Sequence, residues 1–320
     1  MAINKQEEPF KVMIFVFIPI IFWALGSICA SRSACQIGVT KANSWRLTLA
    51  TIVLGVGVLS ISGMPRSFGV WGWLLLSGAV GLGLGDLCMM LGYRYVGPRI
   101  TVLMLLCLAV PISGITEWIW LGTALHGRQI LLAGGILGGV GLAVAPGAKV
   151  PGNSRKSIAI GLFCGVLAAF GQGLGTTISR VAYRFAMENS VQVDGISAAW
   201  QRMIGGLVCT VAVQYIFHIS TGEPPIERAA DLLVAKRPSR FKNAWFWIVT
   251  STLLGPIIGL SVYQWVLLKY PGALVQALVS ITPVVVIPFA WLIDGDKPEW
   301  RGVVGGIIAC TCAALLVLIG

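Results

Sequence analysis

Residues 255–302 read GPIIGLSVYQWVLLKYPGALVQALVSITPVVVIPFAWLIDGDKPEWRG, and this stretch decides the fold. A long apolar helix ends at a tight Lys269-Tyr-Pro-Gly272 connection, because Pro and Gly punctuate helices. A second apolar helix carries Pro283 and Pro288, and a charged turn from Asp294 to Glu299 leads into a last apolar run. The same plan appears at residues 81–128, GLGLGDLCMMLGYRYVGPRITVLMLLCLAVPISGITEWIWLGTALHGR. One helical hairpin therefore occurs twice, once in each half of an apolar chain.

Composition sets the class. Only 11% of the 320 residues are charged and 57% are hydrophobic, with a mean hydropathy of +0.86. A soluble domain carries roughly 25% charged residues, so this chain cannot cover its surface in water and reads as a polytopic membrane protein. The 40 glycines suit close helix packing in lipid, with small-xxx-small spacings at Gly81/Gly85, Gly135/Gly139, Gly161/Gly165 and Gly255/Gly259. A net charge of +11 does not point to nucleic acid, because Lys and Arg are scattered singly at helix ends, where membrane proteins use them as anchors. Eight cysteines form no CxxC pair and two histidines make no cluster, so neither a metal site nor a cofactor is expected. HExxH, GxSG and GxxxxGK[ST] are all missing, which argues against an intramembrane enzyme and against ATP as the energy source.

Crossing about 30 Å of hydrocarbon takes around 20 residues. Ten segments qualify: 12–31, 43–62, 70–93, 99–121, 128–147, 157–179, 196–219, 244–268, 272–293 and 301–319. The first is too long for a signal peptide and is expected to remain as a span in the cell's inner (plasma) membrane. Residues 180–195 and 220–243 read as the two longer polar connections. A Pro/Gly/basic linker at 149–157 divides the chain into halves, 1–148 and 158–320, with five spans each. Landmarks recur in the same order in both: Ser44-Trp-Arg46 with Trp200-Gln-Arg202, Trp71/Trp73 with Trp245/Trp247, and Pro111 with Pro283. A repeat with an odd number of spans must insert its second copy upside down. The expected fold class is thus an all-α integral membrane protein of ten transmembrane helices in two inverted five-helix repeats, an arrangement common among secondary transporters.

These residues resemble the drug/metabolite transporter superfamily, in its ten-helix EamA-type branch. The resemblance rests on Tyr270-Pro-Gly-Ala273, Pro283, Gly295-Asp296 and Gly302 to Gly306 in the second copy. In the first it rests on Tyr95-Val-Gly-Pro98, Pro111, Gly122-Thr123, Arg128-Gln129 and Gly134-Gly135. The family's turn glutamate is Asp296 in one copy and Thr123 in the other, and the 220–243 loop is long. The resemblance implies transport of a small organic metabolite, a cavity formed by helices one, three, four, six, eight and nine, and both termini in the cytoplasm. The Lys and Arg residues crowd the opposite side, where the positive-inside rule would put the cytoplasm. A non-transporting scaffold or a lipid-carrier flippase subunit is the alternative function. The partners expected are a small-molecule substrate and the lipid bilayer; a monomer suffices.

Polar groups inside a span are costly and mark candidate pathways. Asp86 is the sharpest, with Met90 and Tyr93 on the same helical face; it reads either as a proton- or cation-binding carboxylate in the cavity or as half of a structural ion pair with an Arg. Glu117, nearer a helix end, is a second candidate for proton coupling or for an interfacial ion pair. Further polar stripes are Trp23, Ser27 and Ser31 in span one and Gln172, Thr176 and Ser179 in span six. Tyr263 and Gln264 stand beside Ser261 in span eight, and Gln276 and Ser280 in span nine. The substrate contacts expected are therefore Trp23, Asp86, Met90, Tyr93, Gln172, Thr176, Tyr263, Gln264, Gln276 and Ser280. Pro111 and Pro283 are the expected kink or gating positions. Arg46 and Arg202 read first as side chains that snorkel to headgroups, and second as an anion-binding or gating pair. The Trp pairs 71/73 and 245/247 read as interfacial anchors.

Overall fold

Two runs of this chain change helical pitch at the same place in their respective halves. The structure, a computed structural model, describes residues 8–61, 67–122, 127–144, 155–221, 243–294 and 300–319. In the first half α1 spans Glu8–Ile37 and α2 spans Val39–Ile61. Helix α3 (Phe68–Gly78) passes without a break into seven π-helical residues, Ala79–Gly85, and on into α4 (Asp86–Tyr95). Gly97, at φ 86°, turns the chain into α5 (Pro98–Leu121), and α6 is Gly127–Val144. A side chain at position 97 would strain that left-handed turn, and the Pro98 ring suits the first helical position.

The second half repeats the order. Helix α7 spans Arg155–Glu188 and α8 spans Gly195–Thr221. Helix α9 (Ala244–Thr252) runs into a second seven-residue π stretch, Leu253–Gly259, and then α10 (Leu260–Lys269). The next run is split into α11 (Gly272–Val279) and α12 (Thr282–Asp294), and α13 is Trp300–Ile319. Each π stretch begins the same distance after its landmark tryptophan, Trp71 or Trp245, so the repeat read from sequence extends to backbone pitch.

Among the described residues eight helices are long and apolar enough to cross a membrane. Leu131–Ala143 and Trp300–Leu315, in the expected fifth and tenth spans, form shorter apolar helices of 10–17 residues. Length and apolarity therefore support a multi-pass integral membrane protein with eight candidate spans and two shorter apolar helices. The 180–195 stretch differs from expectation, because α7 continues to Glu188. Ala182, Tyr183 and Ala186 bury one face there, while Arg184 and Glu188 pair on the exposed face at 3.1 Å. Helix α8 takes in residues 220 and 221 of the expected 220–243 loop, whereas residues 222–242, residues 149–154 of the linker, Thr123 and the turn bearing Asp296 lie outside the described residues.

The halves interlock reciprocally. The first helix of the second half, α7, crosses the first π stretch, and the first helix of the first half, α1, crosses the second. Glycine makes both crossings close. A Cβ on Gly85 would lie 3.3 Å from the Gly171 Cα, and one on Gly175 3.2 Å from the Gly81 Cα. On the other side a Cβ on Gly26 would lie 3.5 Å from the Gly255 nitrogen, and the Trp23 indole fills the space beside Gly259. Helices α2 and α8 also meet, with the Trp200 indole N–H donating to the Thr51 carbonyl at 3.1 Å. Helix α6 packs on α13 through Gly139, Gly305 and Ala309. Small-residue contacts of this kind let helices approach in lipid, where no hydrophobic effect drives them together.

Candidate functional site

A cavity lies where the two crossings meet. Helix α1 contributes Trp23, Gly26 and Ser27, α2 contributes Arg46, and the first π stretch with α4 contributes Leu82, Asp86, Met89 and Tyr93. Val102, Leu105 and Leu106 come from α5, Gln172 from α7, and Ser251, Gly255, Pro256 and Leu260 from the second pitch-changing run. Its volume is about 80 Å³, room for roughly two or three water molecules. An aromatic wall is built by Trp23 and Tyr93, and the Trp23 ring also sits 5.2 Å from the Tyr263 ring. π-Helical turns inside α-helices are frequent at functional sites, because they rotate the following side chains out of register. Here the residue that follows the first such turn is Asp86.

Asp86 is paired with Arg46, whose Nη2 also reaches the Asn43 Oδ1 at 3.3 Å. Asn43 in turn donates to Thr210 on α8 at 3.1 Å. Both partners of the ion pair are largely withdrawn from solvent and both line the cavity. Arg46 therefore does not snorkel: an interior carboxylate gives its charge a better position than the headgroups would. Arg202 does not snorkel either. It is fully buried, and none of its three guanidinium nitrogens has a hydrogen-bond partner among the described residues. Asp86 lies within electrostatic reach of both arginines.

Of the residues expected at the site, Trp23, Asp86, Tyr93 and Gln172 line this one cavity. Met90 is fully buried in the apolar core with Ala24, Ile28 and Leu106. Thr176, Tyr263 and Gln276 form a separate polar chain between α7, α10 and α11, and Gln264 pairs with Tyr183. The Thr176 hydroxyl bonds the Tyr263 hydroxyl at 2.8 Å, Tyr263 donates to the Gln276 Oε1 at 2.9 Å, and Tyr183 donates to the Gln264 Oε1. The amide nitrogens of Gln264 and Gln276 are left without partners among the described residues. Ser280 sits at the break between α11 and α12, donates to the Ala277 carbonyl at 2.6 Å, and its own carbonyl accepts from Cys310 at 3.0 Å. Glu117 accepts the backbone N–H groups of Gly272 at 3.0 Å and Ala273 at 3.4 Å, which caps the start of α11. Pro283 lies in the first turn of α12, just after the break, whereas α5 runs unbroken through Pro111.

Several contributors escaped sequence reasoning. Tyr183 fell in a stretch read as loop, although its spacing from Ala182 and Ala186 carries a helical signal. Ser251 and Pro256 were overlooked among apolar neighbours. Trp247 was read as an anchor, but it is buried beneath the Arg32 guanidinium, 4.6 Å from the ring centre.

Eight candidate spans and two shorter apolar helices, arranged in two matching halves with a cavity at their crossing, define a multi-pass integral membrane protein. The profile of the EamA-like transporter family matches residues 10–145 and 159–318, and the chain belongs to that family. One solved crystal structure shares the fold, with a TM-score of 0.61 over 97% of each chain at 16% identity. No curated protein matches the sequence.

Proposed function

We propose that this chain is a secondary transporter that moves a small organic metabolite across the plasma membrane by alternating access. In this reading the two shorter apolar helices complete ten spans, and residues 1–148 and 158–320 are inverted five-helix halves joined by 149–157. The observation that carries it is the reciprocal crossing: each pitch-changing run packs on the first helix of the opposite half, and the cavity lies between the two crossings. Rocking one half on the other opens such a cavity to either side in turn. The small volume then corresponds to a narrowed state that widens around its solute. Trp23, Tyr93 and Gln172 contact the solute in the cavity, and the Thr176–Tyr263–Gln276 chain and the Tyr183–Gln264 pair line its path as the halves separate. The termini face the cytoplasm.

Asp86 is the residue that couples transport to protons. It faces Arg46 from α2, Arg202 from α8 and Tyr93 on its own helix, so its protonation frees Arg46. Glu117 is committed to the backbone of α11. The test is uptake and efflux in vesicles containing the purified protein, across a panel of metabolites, with and without an imposed pH gradient. Movement of none of them sinks the transporter reading. Unchanged pH dependence in Asp86→Asn removes Asp86 as the coupling group. An active reporter fused to the C-terminus in the external compartment overturns the orientation.

A further inference from the structure

The membrane interior of this protein holds an imbalance of charge around its cavity. Of two arginines at repeat-related positions, Arg46 is paired with the carboxylate of Asp86 and Arg202 lies within electrostatic reach of it. Arg46 already shares its Nη2 with Asp86 and Asn43, and its Nε has no partner. Arg202 has no hydrogen-bond partner on any nitrogen among the described residues. A buried guanidinium without an anion is strongly unfavourable in a low-dielectric interior, so the arrangement is one that a negatively charged group completes.

The position of Arg202 ties it to the cavity. Its Nη2 occupies a slot left by missing side chains: a Cβ on Gly81 would lie 3.0 Å away and one on Gly175 3.2 Å away. Leu82, next to Gly81, and Gln172, one turn before Gly175, both line the cavity, so the slot lies directly behind its wall. The pseudo-symmetry is kept to the side chain. Arg202 approaches Gly81 of the first π stretch, and Arg46 approaches Gly255, at the corresponding place in the second. Each arginine thus reaches the pitch-changing run of the opposite half. Around Arg202 the unpartnered polar atoms are mainly donors: the Nε2 groups of Gln264 and Gln276 hang from the two tyrosines, Tyr183 and Tyr263, that share its field. The neighbouring Gln201 amide is unpartnered at both its atoms.

We propose that the solute is an organic anion whose acid group is held by Arg46 and Arg202, and that Asp86 stands in for that acid group when the cavity is empty. This rests on the transporter reading. A guanidinium fork matches the oxygens of a carboxylate or a phosphate, whereas a neutral solute leaves the excess charge uncompensated and a cation adds to it. Because each arginine contacts the opposite half, rocking hands the anion from one to the other without exposing it to lipid. Aromatic Trp23 and Tyr93 pack against the organic body.

The experiment measures thermal unfolding of the purified full chain with succinate, glucose 6-phosphate, glucose or choline at equal ionic strength, followed by vesicle uptake of the same four. At least one of the two anions is expected to raise the Tm and to be taken up, and which of them does so separates a carboxylate from a phosphate preference. Glucose and choline are expected to do neither. Arg202→Gln should weaken anion binding at least tenfold, Arg202→Lys should retain part of it, and Asp86→Asn should bind the anion at least as tightly as the parent. Should Arg202→Gln not fold, Arg46→Gln carries the same expectation. Stabilisation by neither anion, or unchanged affinity in the arginine variant that folds, overturns the proposal. Uptake of glucose or choline alone overturns it and leaves the transporter reading standing, whereas anion binding without any uptake supports this site and sinks that reading.

Discussion

The first π stretch, Ala79–Gly85, and the second, Leu253–Gly259, share length, place glycine at corresponding positions and cross the first helix of the opposite half. The residue that follows is Asp86 in one and Leu260 in the other. The backbone has therefore kept its symmetry while the chemistry has lost it. In the proposed transport cycle, backbone pitch and small-residue seams are what the two halves use to rock on each other. A carboxylate, in contrast, is needed once. On the anion proposal, a second would compensate Arg202 and leave no charge for a solute to complete.

Copying one half onto the other breaks this comparison in graded ways. The largest effect is expected at Gly78, which corresponds to Thr252 in the second half. Helix α8 passes so close that a Cβ at 78 would run into the Arg202 backbone, which is not a flexible side-chain tip. Gly78→Thr should cost about 5 kcal/mol or more, seen as loss of the monodisperse protein in detergent or a large drop in Tm. The same residue is tolerated at Thr252, whose hydroxyl donates to the Ile248 carbonyl at 2.7 Å.

Next comes the ion pair itself. Asp86→Leu makes the first half resemble the second and strands the buried Arg46, at a cost of about 3–5 kcal/mol. Adding Arg46→Met should recover most of that loss, because an apolar pair of similar volume is often as stable as a buried ion pair. Unfolding of the single and double variants side by side measures this, and a double variant no more stable than the single would show that the pair's geometry holds the fold. The double variant should fold and yet fail in vesicle uptake.

The smallest expected effect concerns the hairpins. In the first half Pro98 opens α5 and has no N–H to satisfy, whereas in the second Gly272 opens α11 and donates to Glu117. Glu117→Ala should therefore cost about 1 kcal/mol, the usual worth of an N-terminal cap, and shift the Tm slightly. The pH profile of uptake should not move. If it does, Glu117 takes part in coupling.

Much of the architecture was legible because hydrophobic runs, Trp and Pro landmarks and linker composition are local properties, and lipid makes the hydropathy signal strong. Asp86, Trp23, Tyr93 and Gln172 were legible for the same reason: a polar or aromatic group in an apolar run stands out whatever it touches. Arg46 and Arg202 were misread because a cation one turn inside a span looks the same whether it reaches out to headgroups or in to a carboxylate. Thr176, Tyr263 and Gln276 were correctly seen as polar stripes, but a stripe on one helix does not say which neighbour completes it.

By itself the sequence determined that this is an apolar, twice-repeated helical chain of the EamA kind, with one conspicuous carboxylate at the start of α4. Only the tertiary structure decided that the carboxylate has one arginine as a partner and another within reach, that the second arginine is buried without a hydrogen-bond partner among the described residues, and that both pitch changes meet at one cavity. Those facts depend on which helices cross and how closely glycine lets them approach, and distances between remote segments are not written in the order of residues along one of them.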